Sequence, residues 1–575
     1  MSDPIRIPRD AEFTRRFVPR DADCGRWADI EPLFQALLQR PADSPEALER
    51  WLLDMGELAA CLSEESSRRY IAMTCATGDA EREKRYMEIV EEIRPKSKPY
   101  WHELHKAYIA NPHRKSLDEE RYFVFDRAVR NEVDLYREEN IPLTVEEQKL
   151  EQEFQKIAGA MTVQFRGEEK TLPQLKPFLE DNDRATRREA WEAEAARRLQ
   201  DRDRLDEIYD SMIALRGRIA RNAGFGDYTE FAFRSMERFD YSPEDCLAFH
   251  AAIEQTVVPA VRAIHETRRQ RLGLPKLAPW DLSVDPLGRP PLRPFDGAEA
   301  LQAGCRAVFE SVDPGLGRQF ARIAEKGLLD LDSRKGKAPG GYQSTLDEAR
   351  LPFIFMNAAG TDADMYTLLH EGGHAFHALA ARGEDFYFYR DAPIEFCEVA
   401  SMSMELLAAG KLRPFYSEAD EARSIRRHLE SILMLLPWIA RIDAFQHWVY
   451  ARPGHKPEER RSAWLELGER FGPDLDWSGW EAWRENEWQR QLHLFVCPFY
   501  YIEYGIAQLG ALQVWRQYER DGAETIANLL KAFALGGSKP LPQLFETAGA
   551  RFDFSAATLG PLIDKVLETL EAAPE

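Results

Sequence analysis

His370-Glu371-Gly372-Gly373-His374 is the stretch of this chain whose residue types and spacing could do chemistry. On a helix, two imidazoles four residues apart share one face, one turn above the other. Both then reach a single metal ion while the glutamate between them points at a water held there. That is the sequence form of a zinc peptidase site. The elements that must carry it are also legible: residues 351–357 read as a short buried strand, and Thr361 or Asp362 can cap a helix over about 363–381. Two satisfied histidines on a core helix would be the alternative, but an apolar face rarely holds this pattern without an ion.

A catalytic zinc wants three protein ligands and an open position for water. His377 shares the helix face, yet it sits roughly 10.5 Å along the axis from His370 at about 1.5 Å per residue. One ion at about 2.1 Å from each nitrogen cannot touch all three. A carboxylate from the next helix, predicted over 395–407, fits better; Glu398 is the best candidate, with Glu395 and Asp391 weaker. Glu405, two turns beyond Glu398, is spaced to orient a ligand histidine, or is an ordinary surface acid. Amide hydrolysis also needs neutral donors for its oxyanion. After Pro498, residues Tyr501, Tyr504 and Gln508 fall at i, i+3 and i+7 on one helix face, although such stripes are more often core.

The block 370–377, followed by Glu398 with Ser401 three and Glu405 seven residues further on, resembles the oligoendopeptidase F branch of the thimet oligopeptidase family of zinc peptidases. The resemblance is clearest over about 330–520, with weaker echoes in the N-terminal part. It implies that Glu398 completes the zinc site, with one Zn2+ per chain. It further implies that His493 and a pair of tyrosines face the zinc; Tyr504 and Tyr501 are the matching residues, and Tyr500 stays open in place of Tyr501. Gly340-Gly341-Tyr342 and the strand after it match an edge that pairs with substrate backbone, a plain tight turn being the other reading. The implied fold is mostly α, a zincin-like catalytic domain with a small β-sheet, in which two helical lobes enclose a deep channel admitting only short unfolded chains.

Composition narrows the setting. Among 575 residues, 76 basic against 98 acidic side chains give a net charge of -22, which repels nucleic acid and anionic membranes. The longest apolar run, 432–440, is about half of a bilayer span and contains Pro437. No apolar block opens the chain, so the expected setting is the cytoplasm. Seven scattered cysteines without CxxC spacing predict reduced thiols, and none offers itself as a metal ligand.

Taken in order, residues 1–20 read as a polar arm, and helical periodicity follows over about 46–63, 82–93, 100–110 and 117–138. The stripe Trp101, His102, His105 and Tyr108 reads as surface or core filling. A hairpin near 161–172 precedes a capped helical block, so the predicted units are 1–180 and a catalytic domain over 181–575. Helices are expected over 184–222, 244–271, 297–312, 418–451, 456–470, 480–488 and 499–518. The proline-rich stretch 275–294 reads as an ordered loop, and 333–345 as a loop without phosphate-binding order. The reaction predicted is zinc-dependent cleavage of internal bonds in oligopeptides. His370, His374 and Glu398 hold the ion, Glu371 activates water, and His493 with Tyr504 or Tyr501 steadies the oxyanion. A carboxypeptidase or dipeptidase with the same zinc site, or a peptide-binding helical protein with structural zinc, would share most of these features.

Overall fold

Leu351–Ala358 (β5) is an almost continuous apolar run, and it forms the buried centre of a three-stranded sheet. Leu329–Asp332 (β3) pairs with it in parallel, and Tyr342–Leu346 (β4) pairs antiparallel on the other side, Tyr342 opposite Phe355 and Gln343 opposite Ile354. The expected loop over 333–345 therefore ends in a strand. Gly340, at φ +96°, takes a left-handed conformation that favours glycine, and the chain enters β4 two residues later. Because β4 has a neighbour on one side only, its outer edge is left for another partner. An earlier hairpin, Thr162–Phe165 (β1) with Glu168–Thr171 (β2), turns at Arg166 and Gly167, both with positive φ.

The remainder of this computed structural model, which describes residues 13–572, is helical. Residues 1–12 of the expected N-terminal arm lie outside those described. One core gathers Leu52, Met55, Leu58, Tyr108 and Phe125 from helices Pro45–Thr74, Arg94–Ala110 and Glu119–Leu135. His102 and His105 belong to its surroundings: one stacks on Tyr136, the other pairs with Glu132 at 2.9 Å. Phe386 and Tyr389 enter the same core from the loop before Glu398, and the Tyr389 hydroxyl donates to the Arg121 carbonyl at 2.6 Å. The N-terminal helices thus hold the loop from which the glutamate helix starts.

A second, larger core unites helices Pro243–Arg271, Gly297–Val312, Asp362–Ala381, Ile394–Leu407, Glu418–Tyr450 and Ile502–Tyr518 with the β5 sheet. The proline-rich loop is tied to the helix Arg184–Leu199 through Asp281, fully buried and bridged by Arg184 at 2.8 Å and Arg187 at 3.1 Å. Such a buried carboxylate is tolerable because two guanidiniums match its charge. Arg216, also fully buried, donates to the Tyr450 hydroxyl at 2.8 Å, to the Leu494 carbonyl at 3.0 Å and to the Phe495 carbonyl. It fixes the chain just before the tyrosine segment.

That segment departs from the predicted helix over 499–518. Phe499 sits at φ +67° with its ring fully buried, and the helix begins only at Ile502. The conformation is over-determined: the Phe499 amide donates to Gln446 Oε1 at 2.5 Å, and its carbonyl accepts from Arg238 at 2.7 Å. A bulky residue at positive φ is strained, and it persists here because both backbone groups and the ring are held.

Candidate active site

The motif lies in the middle of the helix Asp362–Ala381, which opens with Thr361 accepting from the Asp364 amide while the Asp364 carboxylate accepts from the Thr361 amide. Both glycines of the motif have a packing reason. A Cβ on Gly372 would come within 2.4 Å of the Phe309 ring, and one on Gly373 within 2.5 Å of the Ala400 carbonyl. Gly373 lets the helix Ile394–Leu407 approach backbone to side, which brings Glu398 over the two imidazoles.

Glu398 Oε2 lies 3.3 Å from His370 Nε2 and 3.7 Å from His374 Nε2. Two donors at about 2.1 Å from one ion, at tetrahedral angles, stand roughly 3.4 Å apart, so the three atoms match three corners around a zinc-sized cation. Soft imidazole nitrogens and one carboxylate are a donor set that zinc favours. Ser401 Oγ donates to the same Glu398 oxygen at 2.8 Å and fixes its rotamer. His370 Nδ1 meets Glu405 Oε1 at 2.6 Å, which turns its Nε2 toward Glu398. His428, which nothing in the sequence marks out, stacks on Tyr366 and lies 3.5 Å from the other Glu405 oxygen.

Charge follows the geometry. Burial opposes the charged form of His370, but hydrogen bonds to Glu398 and Glu405 outweigh it and hold that imidazole well above its ordinary value. Glu398 is correspondingly drawn down to about 2, its burial outweighed by the hydrogen bond from His370. Burial, then the charge on His370, pushes His374 down to about 4, so it presents a neutral ring with a free lone pair. Burial pushes the Glu371 carboxyl up to about 7. The Gln343 amide donates to that carboxylate, so the outer edge of β4 faces the motif helix at Glu371.

The competing ligands lie elsewhere. His377 is buried, stacked on Phe533 with ring centroids 4.8 Å apart, and its Nε2 has no hydrogen-bond partner. Glu395 accepts from the Tyr241 hydroxyl at 2.8 Å, and Asp391 is an exposed acid whose charge acts on Asp347.

On the far side stand His493 and three tyrosines. The His493 ring lies 4.7 Å from Tyr501 and 6.0 Å from both Tyr500 and Tyr504. Trp438 Nε1 donates to Gln491 Oε1 at 3.1 Å, which turns the amide nitrogen of Gln491 toward His493 Nδ1 at 2.7 Å. With Nδ1 accepting, the ring proton sits on Nε2, and burial keeps the ring neutral. Tyr500 and Tyr504 feel the negative charge of Glu398, whereas the Tyr501 hydroxyl is engaged by Gln491 and Trp438. Of the three, Tyr500 and Tyr504 are the ones on which the Glu398 charge acts. Gln508 is buried in the helix interior, its amide nitrogen without a hydrogen-bond partner. Gln343 and Gln491 escaped sequence reasoning because each acts through a neighbour set by the fold.

Replacing Glu405 with Gln keeps the shape but weakens the hold on His370. Metal affinity measured by chelator competition is expected to fall about 10–100-fold, and unchanged affinity would remove Glu405 from the site.

Residues 178–561 match the description Peptidase family M3, and residues 25–136 match Peptidase M3 N-terminal domain. An oligoendopeptidase F homolog of Borreliella burgdorferi is 24% identical over 303 residues, 50% of this chain and 49% of that protein. Oligopeptidase PepF of Bacillus subtilis is 26% identical over 245 residues, 41% of this chain and 36% of the relative. These matches span half or less of the curated relatives. Among solved structures, a putative oligoendopeptidase F superposes with a TM-score of 0.86 at 30% identity, covering 97% of this chain and 99% of that one. PZ peptidase A with an inhibitor superposes with a TM-score of 0.87, also at 30% identity and with the same coverage. The mostly helical, two-lobed architecture with its small sheet is common to them, and the family description spans the motif helix, the Glu398 helix and the tyrosine segment alike: this chain belongs to peptidase family M3.

Proposed function

We propose that the protein is a zinc-dependent oligoendopeptidase that hydrolyses internal bonds of short, unstructured peptides. The observation that carries this reading is the triangle of His370 Nε2, His374 Nε2 and Glu398 Oε2 with the Glu371 carboxylate beside it. His370, His374 and Glu398 would hold the ion, which supplies Lewis acidity toward a peptide carbonyl and toward water when bound. Glu371 takes the proton from the attacking water and returns it to the departing amine; its carboxyl, raised to about 7, suits both transfers. The Gln343 amide steadies that carboxylate and places it at the edge of β4.

A peptide laid along the outer edge of β4 would add a strand there, with its scissile carbonyl between Glu371 and the tyrosines. Tyr504, with Tyr500 beside it and the Nε2–H of His493, would donate to the oxyanion without adding charge. Burial keeps the three groups protonated and neutral: Tyr504 is pushed up to about 12, Tyr500 well above the phenol range, and His493 is lowered. The names of the relatives, oligoendopeptidase F and oligopeptidase, agree with peptides as substrates.

An internally quenched peptide blocked at both ends tests the reading. Cleavage at inner bonds is expected, abolished by a chelator and restored by zinc. A blocked peptide left intact while its unblocked counterpart is trimmed from an end would replace it with a carboxypeptidase or dipeptidase, and no metal-dependent cleavage of any peptide would overturn it.

A further inference from the structure

A second cluster of ligand-type side chains lies behind the tyrosine segment. Cys246 and His250 stand one turn apart on the helix Pro243–Arg271, and Asp443 and His447 stand one turn apart on the helix Glu418–Tyr450 packed against it. One ligand atom each from Cys246, Asp443 and His447 falls within 4.8 Å of the others. Cys246 and Asp443 are fully buried. His447 Nε2 pairs with Asp443 Oδ2 at 3.2 Å, while the other carboxylate oxygen, Asp443 Oδ1, is buried without a hydrogen-bond partner. A buried carboxylate oxygen without a partner, grouped with a thiol and an imidazole nitrogen, is positioned for a common cation. His250 Nε2 meets Asp443 Oδ2 at 2.8 Å and would hold the carboxylate in place, the usual role of an outer partner.

We infer that Cys246, Asp443 and His447 form a second site, distinct from the peptidase centre, for a thiophilic divalent cation of the zinc type. Donor chemistry supports this assignment. Burial holds the Cys246 thiol well above its ordinary value, so a cation would bind there by displacing its proton, and sulfur, nitrogen and oxygen together suit zinc or cobalt but not magnesium or calcium. Arg238, the nearest guanidinium, is already committed to Glu503 at 2.6 Å and to the Phe499 carbonyl. Cys246 escaped notice in the sequence because its partners come from a helix about two hundred residues away, not from a CxxC pair.

The placement gives the ion a structural task. The His447 ring packs on Phe499 with centroids 5.1 Å apart, and the neighbouring Gln446 accepts from the Phe499 amide. An ion joining the two helices would stiffen the turn that aims Tyr500 and Tyr504, so the site acts through position and not on substrate.

Cobalt distinguishes the two sites, because the donors of the peptidase centre include no sulfur. The full chain, stripped with a chelator and titrated with Co2+, is expected to bind two ions and to show one thiolate-to-cobalt charge-transfer band. Cys246→Ser should remove the band and one ion, leaving the other. Its melting temperature should lose the part of the zinc-dependent rise that belongs to the second site. His447→Gln should weaken the same ion if Cys246→Ser folds poorly. A variant carrying His370→Ala and Glu398→Ala should lose only the ion without the band, so failure of the peptidase reading leaves this result intact. Absence of the band, or a band that survives Cys246→Ser, overturns the second site.

Discussion

Glu371→Gln is expected to lower kcat/KM on a blocked peptide by about 10^2–10^4-fold, the range that a positioned proton-transfer group contributes. The substitution keeps volume, and its amide oxygen can still accept from the Gln343 amide, so the helix and the β4 edge stay where they are. What disappears is the ability to take a proton from water and return it to the amine. Metal content is therefore expected to match the parent, because His370, His374 and Glu398 are untouched. Glu371→Asp refines the test: the carboxylate survives but retreats by one methylene, and activity should fall between the two. Kinetics paired with metal analysis on one preparation decides the matter. A Gln variant within tenfold of the parent would remove Glu371 from the chemistry, and one that loses its ion would show that the glutamate acts as a ligand.

How much of this could be read before any coordinates follows from which interactions are local. The motif helix was legible because its cap, its periodicity and its two histidines lie within twenty residues, and it spans Asp362–Ala381. The hairpin at Thr162–Phe165 and Glu168–Thr171 was legible for the same reason, an Arg-Gly turn between alternating residues. Glu398 was a choice among three acids, Asp391, Glu395 and Glu398; proximity to His370 and His374 depends on Gly373 meeting the Ala400 carbonyl, a contact between helices. The helix expected from 499 begins only at Ile502 because no local rule puts a phenylalanine at φ +67°; the Arg238 and Gln446 bonds that hold it there come from 261 and 53 residues away. The strand that holds Gln343 was legible only through the family resemblance, because its own stretch reads as loop and its partner, β5, arrives later. The pairing of Cys246 with Asp443 and His447 is wholly tertiary and has no sequence signature.

Glu398→Ala and His377→Ala are expected to separate metal binding from stability. Removing Glu398 takes away one of three donors, and the loss of zinc affinity should exceed the 10–100-fold that an outer partner such as Glu405 is worth. The same change leaves His370 with Glu405 alone, so the apo helix pair should remain folded while hydrolysis disappears together with the ion. His377→Ala should do the reverse. Its ring is buried against Phe533, and truncating a packed core side chain costs about 2–4 kcal/mol, yet the ring lies outside the group formed by His370, His374 and Glu398. Chelator competition and thermal melting on the same two variants therefore give opposite patterns: weak metal with modest change in melting for Glu398→Ala, full metal with a lowered melting point for His377→Ala. If His377→Ala loses the ion while Glu398→Ala keeps it, Glu398 is not the third ligand. The 3.3 and 3.7 Å approaches of Glu398 would then be an ion pair with the imidazoles and no part of a coordination sphere.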